Sequence, residues 1–287
     1  AVCCANARVA VQVEVMNEAN QQQIDYWNGD AGSEWVQAQE HLDTMLSPLS
    51  QQALERASVN GTERVLDIGC GCGATSLHLA QAAQWVTGVD ISAPMIDRAR
   101  QRGSGRSNLE FIHGDASLWR GSEPYDLAFS RFGVMFFADP VAAFSNIHRN
   151  LKVSGRLTFL CWRLPQDNPW LAIPGAATQP YLPPPPENGG PDPFAFADRD
   201  FVSGVLTDAG FQAPNFSLCE ATLTLGADVA SAMAFLTRIG PLSRVISELE
   251  GTVREQALAA AEAALQPFAD DAGVRMDASC WIITARA

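Results

Sequence analysis

A short hydrophobic run that ends in three alternating glycines constrains the fold of this chain more than any other feature. The segment Arg64–Ala74 contains an apolar run with one carboxylate, Asp67, and continues into Gly69, Gly71 and Gly73. A helical pattern begins directly after it, so the segment predicts a strand, a tight turn and the start of a helix. Glycine suits such a turn because the backbone must adopt angles that a side chain forbids and must leave room for a ligand. The sequence therefore predicts an extended ligand bound across this turn.

Two kinds of ligand fit a turn of this type. Gly69, Gly71 and Ala74 satisfy the Gly-x-Gly-x-x-Ala dinucleotide fingerprint. Asp90 follows about where a ribose-binding acid is expected, so a nicotinamide-dependent oxidoreductase is one reading. Asp67 favours the other reading, because its carboxylate at the mouth of the turn would repel a pyrophosphate and attract an ammonium or sulfonium group.

Three motifs in register resemble those of a single protein family. The segment Val65–Gly73 is similar to the first motif of class I S-adenosylmethionine-dependent methyltransferases, and Val86–Ser92 and Phe111–Ala116 follow in that family's order and spacing. The resemblance is looser over the rest of the chain and is closest to the branch of ubiquinone-type and small-metabolite methyltransferases. It implies an α/β fold, with a Rossmann-like, doubly wound sheet of seven strands in the order 3-2-1-4-5-7-6, an antiparallel last strand and a helical cap.

The pattern of elements divides the chain into five predicted segments. Residues 1–16 match nothing in the family and are expected to form a disordered extension, and residues 17–60 an N-terminal helical lid. Residues 61–226 are predicted to form the cofactor-binding core, residues 227–272 an inserted helical cap and residues 273–287 the final core strand. The cap is predicted because direct joins in compact domains are only about 2–6 residues long.

The resemblance implies S-adenosyl-L-methionine as the cofactor and S-adenosyl-L-homocysteine as the product. Asp90 is expected to accept hydrogen bonds from both ribose hydroxyls. Asp115 is expected to face the adenine amine, although Gly114 and Asp115 also suit a plain turn. The expected cofactor contacts lie on the glycine turn, at the following strand ends and on the lid: Asp67, Gly69, Cys70, Gly71, Gly73, Asp90, Ile91, Met95, Gly114, Asp115, Ala116, Ser130, Arg131, Trp27 and Trp35.

An aromatic-rich segment follows the fourth strand and is expected to lie beside the methyl donor. The side chains expected to line the acceptor pocket are Tyr26, Phe132, Phe136, Phe137, Trp162 and Trp170. Core packing explains any one of these rings about equally well. The Asn/Asp-Pro-Pro-aromatic motif of methyltransferases that act on nucleobase amines is absent from this segment. The resemblance thus implies methyl transfer to O, N or C of a small, partly apolar metabolite.

The sequence identifies no general base. A sulfonium methyl is already activated, so placement of the acceptor contributes most to the rate. His113 and His41 are candidates for a base that faces the site. Arg131 is a candidate to orient a carboxylate on the acceptor through two parallel hydrogen bonds.

Composition and charge limit the partners. The chain of 287 residues carries a formal net charge of −13, so nucleic acid is not expected as a partner, and a small-molecule acceptor is. No apolar run reaches the ~18 residues of a membrane span, and the first residues lack the pattern of a secretion signal. Seven cysteines without a Cys-x-x-Cys pair suit reduced thiols of a cytoplasmic protein and predict no metal site. A homodimer and a non-catalytic binding module of the same fold both remain open.

Overall fold

One eight-stranded sheet forms the centre of the molecule. The computed structural model describes residues 20–182 and 192–287, so the expected extension at residues 1–16 and the proline run at residues 183–186 lie outside the described residues. The strands are β1 (Arg64–Ile68), β2 (Trp85–Asp90), β3 (Leu109–His113), β4 (Tyr125–Arg131), β5 (Leu151–Trp162), β6 (Gln212–Gly226), β7 (Ala269–Asp270) and β8 (Gly273–Arg286).

Helices cover the sheet and its edge. The helices are α1 (residues 20–28), α2 (Asp30–Gln37), α3 (Gln39–Ala57), α4 (Ala74–Leu79), α5 (Ala93–Arg102), α6 (Pro140–Asn150), α7 (Pro169–Thr178), α8 (Arg199–Asp208), α9 (Val229–Leu236), α10 (Pro241–Ser247) and α11 (Gly251–Leu265). No single helix in these described ranges is long and apolar enough to cross a membrane, although α9 and α10, bent by 78°, pass the same test as a pair.

The strand order confirms the predicted fold. The sheet runs β3-β2-β1-β4-β5-β8-β6, in which β1 to β5 pair in parallel and β8 is antiparallel to both of its long neighbours. This is the predicted order, since β8 is the seventh long strand. The strand count was wrong by one, because the two-residue β7 pairs with the start of β8 and is too short to produce an alternating pattern. The carboxyl ends of five parallel strands therefore meet at one edge.

Helices from three parts of the chain meet above this edge. The N-terminal helices α1 to α3 precede the sheet, α7 follows β5, and α9 to α11 lie between β6 and β8. Helix α11 packs against α7 and α9. Arg238, just after α9, pairs with Glu34 of α2 and donates to Gln37 of the same helix, at 2.6 Å. The inserted helices thus contact the N-terminal helices directly.

The turn after β1 is built around the buried carboxylate of Asp67. This side chain is fully buried, and its Oδ2 accepts hydrogen bonds from Thr75 Oγ1 at 2.7 Å and Ser76 Oγ at 2.5 Å. Its Oδ1 has no hydrogen-bond partner among the described residues. Burial raises the pKa of Asp67 to about 6, against the effect of the two hydroxyls. One side chain therefore joins the end of β1 to the first turn of α4.

The same turn touches a second turn, after β4, backbone to backbone. A Cβ on Gly133 would lie 2.7 Å from the Cα of Gly69 and 2.7 Å from the carbonyl oxygen of Ile68. Gly69 has a positive φ of 62°, which disfavours a side chain there as well. Only glycine at both positions allows the two turns to approach this closely.

Replacing Asp67 by Asn should change how stability depends on pH. The folded-state pKa of Asp67 is raised, so its favourable contribution is complete below pH 3.8 and is lost as the pH rises through about 6. The variant has no titrating group at this position and avoids this loss. The difference in unfolding free energy between variant and parent should therefore shift by about 2–3 kcal/mol in favour of the variant as the pH rises from 4 to 7. Urea unfolding at several pH values measures the difference, with Asp97→Asn on the surface of α5 as control. Parallel profiles for parent and Asp67→Asn would contradict this account of the turn.

Replacing Gly133 by Ala should destabilise the fold. The new methyl group would overlap Gly69 and Ile68, and overpacking of this kind costs about 1–3 kcal/mol. Gly204→Ala is the matched control, because that glycine lies in α8 with open space around it and should gain about 0.5–1 kcal/mol. Urea unfolding of both variants tests the contact, and equal stabilities would show that the two turns do not touch as described.

Candidate functional site

A cavity opens at the carboxyl edge of the parallel strands, beneath the lid and cap helices. Its volume of about 210 Å³ is more than ten times the ~10–15 Å³ that one water molecule needs. Its wall comes from α1 to α3, from the turn after β1, from the ends of β2, β4 and β5, and from α7 and the cap. Because these segments converge on one space, the predicted cofactor and acceptor residues can be compared at a single site.

Asp90 is fixed on the cavity wall by two backbone groups. Its Oδ2 accepts from the Gly71 amide at 2.7 Å, and its Oδ1 accepts from the Ser92 amide at 2.9 Å. Burial raises its pKa, while these two hydrogen bonds favour the charged form. Met95 lies on the same wall, with its sulfur 3.6 Å from the place that a Cβ on Gly71 would occupy. The arrangement leaves a carboxylate and an apolar surface side by side beneath an open strip of glycine backbone.

Asp115 marks the far end of this strip. Its Oδ1 accepts from the amide and the hydroxyl of Ser117, and its Oδ2 accepts from Asn20 Nδ2 at 3.0 Å. Ala116 and Ile91 also line the cavity. Asn20, which the sequence analysis did not identify, thus brings α1 to the end of the site.

Aromatic rings from the N-terminal helices line this half of the cavity. Trp27 makes edge contacts with Tyr26, Trp35 and Phe136, with ring centroids 5.0, 5.8 and 5.5 Å apart. All four rings line the cavity. Helix α1 is held in place from below, because the hydroxyl of Ser92 donates to the Trp27 carbonyl at 2.7 Å. Ser92 therefore occupies the N-cap position of α5 but uses its hydroxyl to hold the lid.

A second aromatic wall lies on the opposite side. Phe132 stacks on Trp162 at 4.1 Å between centroids, and Trp162 contacts Trp170 at 5.3 Å. Phe132 has a positive φ of 62°, which is uncommon outside glycine and typical of functional sites. Trp170 Nε1 is buried without a hydrogen-bond partner among the described residues. With Phe137, all six predicted acceptor residues line the cavity.

Arg131 is one of two arginines among the described residues that line the cavity. Its Nη1 donates to Ser50 Oγ of α3 at 3.0 Å. Burial lowers its pKa, and the nearest carboxylates that oppose this effect are Asp43 and Asp67. Asp43 is itself held by Arg102 at 2.7 Å. Arg131 thus enters the cavity as a guanidinium with one protein hydrogen bond.

Several residues predicted as site residues lie behind the wall. Asp67 is fully buried beneath the turn, and Gly73 packs against the ring of Phe111. Ser130 donates to the Ile68 carbonyl at 2.8 Å, and Gly114 donates its amide to the Asp90 carbonyl at 2.9 Å. These four residues shape the turns that carry the wall and do not line the cavity themselves, so their contact with the cofactor stays a prediction.

Neither candidate histidine reaches the cavity. His113 Nε2 lies 3.0 Å from the Ile91 carbonyl, at the outer side of β3. The ring of His41 packs against Phe235, which lines the cavity, at 4.6 Å, but His41 itself does not line it. The structure therefore gives no support to either histidine as a base.

Hydrogen bonds and one ion pair that the sequence analysis did not predict join α3 to α5 beside the glycine turn. Arg102 Nη1 donates to the Cys72 carbonyl at 2.7 Å while its Nη2 pairs with Asp43. Arg98 donates to Gln39 Oε1 at 2.9 Å from Nη2. The helical pattern of the sequence indicates which side of α3 is apolar, but it does not pair polar residues 59 positions apart.

The residues present fit an adenosyl amino acid. Asp90 offers two acceptor oxygens at the glycine strip, and Asp115 lies at one end of it. Thr75, which also lines the cavity, donates its hydroxyl to Asp67 behind the wall. Gly69 and Gly71 keep positive φ along the strip and leave it free of side chains. The described wall contains no lysine, and its two arginines are Arg131 and Arg244.

Comparison with known proteins agrees with this geometry. Residues 65–155 match the family model described as a methyltransferase domain. The trans-aconitate 2-methyltransferase of Klebsiella pneumoniae is 31% identical over 144 residues, which cover 46% of this chain and 55% of that protein. An uncharacterized RNA methyltransferase of Halalkalibacterium halodurans is 46% identical over 70 residues, or 24% of this chain and 15% of that protein. The chain thus matches about half or less of the length of these curated relatives.

The fold is also that of solved methyltransferases. The phosphoethanolamine N-methyltransferase 2 of Haemonchus contortus, solved with S-adenosylhomocysteine, aligns with a TM-score of 0.50 at 18% identity, covering 83% of this chain and 52% of that one. The match over residues 65–155, the strand order and the glycine strip beside Asp90 agree with one another. Residues 65–155 of this chain therefore match a methyltransferase domain, and the chain has the fold of solved methyltransferases.

Proposed function

We propose that this protein transfers a methyl group from S-adenosyl-L-methionine to an O, N or C atom of a small, partly apolar metabolite. The observation that carries the proposal is a single cavity in which the Asp90 carboxylate and the glycine strip face two aromatic walls. When bound, the cofactor supplies an activated methyl group. Phe132, Trp162 and Trp170 line the same cavity as the strip, so the acceptor is proposed to bind beside these rings.

The chain's own residues contribute binding, orientation and exclusion of water. Asp90 can accept hydrogen bonds from a ribose because each oxygen keeps a free lone pair beyond its bond to Gly71 or Ser92. Met95 offers an apolar surface on which the adenine ring of the cofactor would pack. The helices above the cavity, proposed here as lid and cap, would keep water from the transfer, and Arg238 ties them together through Glu34.

The described wall of the cavity contains no histidine, lysine or glutamate. Of its three aspartates, Asp43 is paired with Arg102, while Asp90 and Asp115 belong to the cofactor end in this proposal. Catalysis would then depend on placing the acceptor in line with the methyl group, which is worth up to roughly 7–11 kcal/mol in favourable cases. We infer an acceptor atom that already has a free lone pair or a negative charge near neutral pH.

A small molecule is the better candidate acceptor, although the relatives include an enzyme named for RNA. The net charge of −13 would repel a polyanion, and the cavity is covered by helices rather than open along a basic groove. A relative named for trans-aconitate favours the same class. We expect the reaction to take place in the cytoplasm, where the free, buried Cys161, Cys219 and Cys280 stay reduced.

Labelled cofactor tests the proposed reaction. The protein is incubated with S-adenosylmethionine carrying a labelled methyl group and with two acceptor pools from bacterial extract, one of small molecules and one of RNA. We expect label in the small-molecule pool, and identification of the labelled product names the acceptor. Label confined to RNA would overturn the assigned acceptor class. Cofactor binding without transfer to either pool would favour a binding module.

Replacing Asp90 by Asn should weaken binding of S-adenosylhomocysteine by about 10- to 100-fold. The change removes a charged acceptor of ribose hydrogen bonds, each worth about 1.5–3 kcal/mol. Asp97→Asn, on the exposed face of α5, should leave the dissociation constant unchanged. Isothermal titration calorimetry measures both variants. Unchanged affinity in Asp90→Asn, or thermal stabilisation by NADH instead of S-adenosylhomocysteine, would contradict the proposed cofactor site.

A further inference from the structure

We propose that Arg131, aligned by Ser50, forms a carboxylate-binding subsite in the wall of the cavity. The inference rests on the proposed function, because it assigns part of the same cavity. It differs from the glycine strip and Asp90, which would hold the adenosyl part of the cofactor. The ligand class is a carboxylate, which could belong to the amino-acid end of the cofactor or to the acceptor.

The geometry of the pair fixes the guanidinium. Ser50 lies in α3, and its hydroxyl donates to the Leu46 carbonyl at 2.8 Å. Its oxygen can therefore only accept from the arginine, and Arg131 Nη1 donates to it at 3.0 Å. Arg131 is the last residue of β4, a buried strand. The charged head is thus held from both sides, by a strand end and by a lid helix.

Most of the donors of this guanidinium have no protein acceptor. A guanidinium has five N–H groups, and Ser50 is the one hydrogen-bond acceptor that Arg131 has among the described residues. Arg131 also forms no ion pair with any described carboxylate. A cation left in a partly buried place without a counter-ion is costly, and a bound anion would offset that cost.

The nearby carboxylates are already committed to other groups. Asp43 accepts from Arg102 and from Gln39, at 2.7 and 2.6 Å. Asp67 Oδ2 accepts from two hydroxyls in α4. Both carboxylates nonetheless add negative charge around Arg131. They would repel a doubly charged phosphate more than a ligand with one negative charge, so the singly charged ligand fits better. A carboxylate also matches the planar edge of a guanidinium with two parallel hydrogen bonds.

The position favours the cofactor as the source of the carboxylate. Arg131 lines the same cavity as Cys72, at the end of the glycine turn. Asp115 lies at the opposite end of the strip, where α1 meets β3. An adenosyl amino acid with its base toward Asp115 would bring its amino-acid end toward Arg131. An acceptor carboxylate would reach the same guanidinium from the wall of Phe132 and Trp162.

Binding measurements on the full chain test the subsite without turnover. S-adenosylhomocysteine and 5′-methylthioadenosine share the adenosine and the thioether, but only the first carries the amino-acid end. We expect Arg131→Gln to weaken the binding of S-adenosylhomocysteine by about 10- to 100-fold. The dissociation constant of 5′-methylthioadenosine should stay within about twofold of the parent value. Ser50→Ala should weaken S-adenosylhomocysteine by about 3- to 10-fold, since the guanidinium loses its alignment, and it carries the test if Arg131→Gln does not fold. Arg56→Gln, an exposed arginine of α3, is the control.

A second arm detects an acceptor carboxylate. If Arg131→Gln binds S-adenosylhomocysteine as tightly as the parent does, a second measurement follows. Parent and variant, each saturated with S-adenosylhomocysteine, are unfolded by heat in the presence of 3-phenylpropanoate or of its neutral amide. Stabilisation by the acid alone, lost in Arg131→Gln, assigns the subsite to the acceptor. The proposal is overturned if neither arm responds, or if Arg131→Gln weakens S-adenosylhomocysteine and 5′-methylthioadenosine equally. A parent protein that binds neither nucleoside would instead refute the proposed function itself.

Discussion

The buried carboxylate of Asp67 is the interaction on which the site depends. It joins the end of β1 to the first turn of α4 through Thr75 and Ser76, and so fixes both ends of the glycine turn. With the turn fixed, the Gly71 amide can reach Asp90 on the neighbouring strand. Asp67, which does not line the cavity, thereby sets the position of Asp90, which does.

Helix α3 gives the lid a second role. Its apolar residues complete the core, and its polar residues contact the site: Asp43 reaches the glycine turn through Arg102, and Ser50 reaches Arg131. A helix with both sets of contacts cannot shift without disturbing the cavity. The N-terminal helices are therefore part of the binding site as well as a cover for it.

The sequence could predict the start of the sheet because β1 and β2 are short, buried strands that are each followed by a turn and a helix. The resemblance and the positions of the aromatic residues after the predicted strands and on the first helix gave the six predicted acceptor residues, and all six line the cavity. The sequence could not show that Asp67 points beneath the turn, because a carboxylate in a strand of five residues is compatible with either face. Nor could it pair Asp43 with Arg102 or Asn20 with Asp115, since contacts between distant segments leave no local pattern.

The central claim is that the glycine strip, Asp90 and the two aromatic walls form one ligand site. A crystal structure of the protein with S-adenosylhomocysteine tests it most directly. The account predicts the ribose hydroxyls within hydrogen-bond distance of Asp90, and the sulfur facing Phe132 and Trp162. A ligand bound outside this cavity, or a ribose with no contact to Asp90, would contradict it.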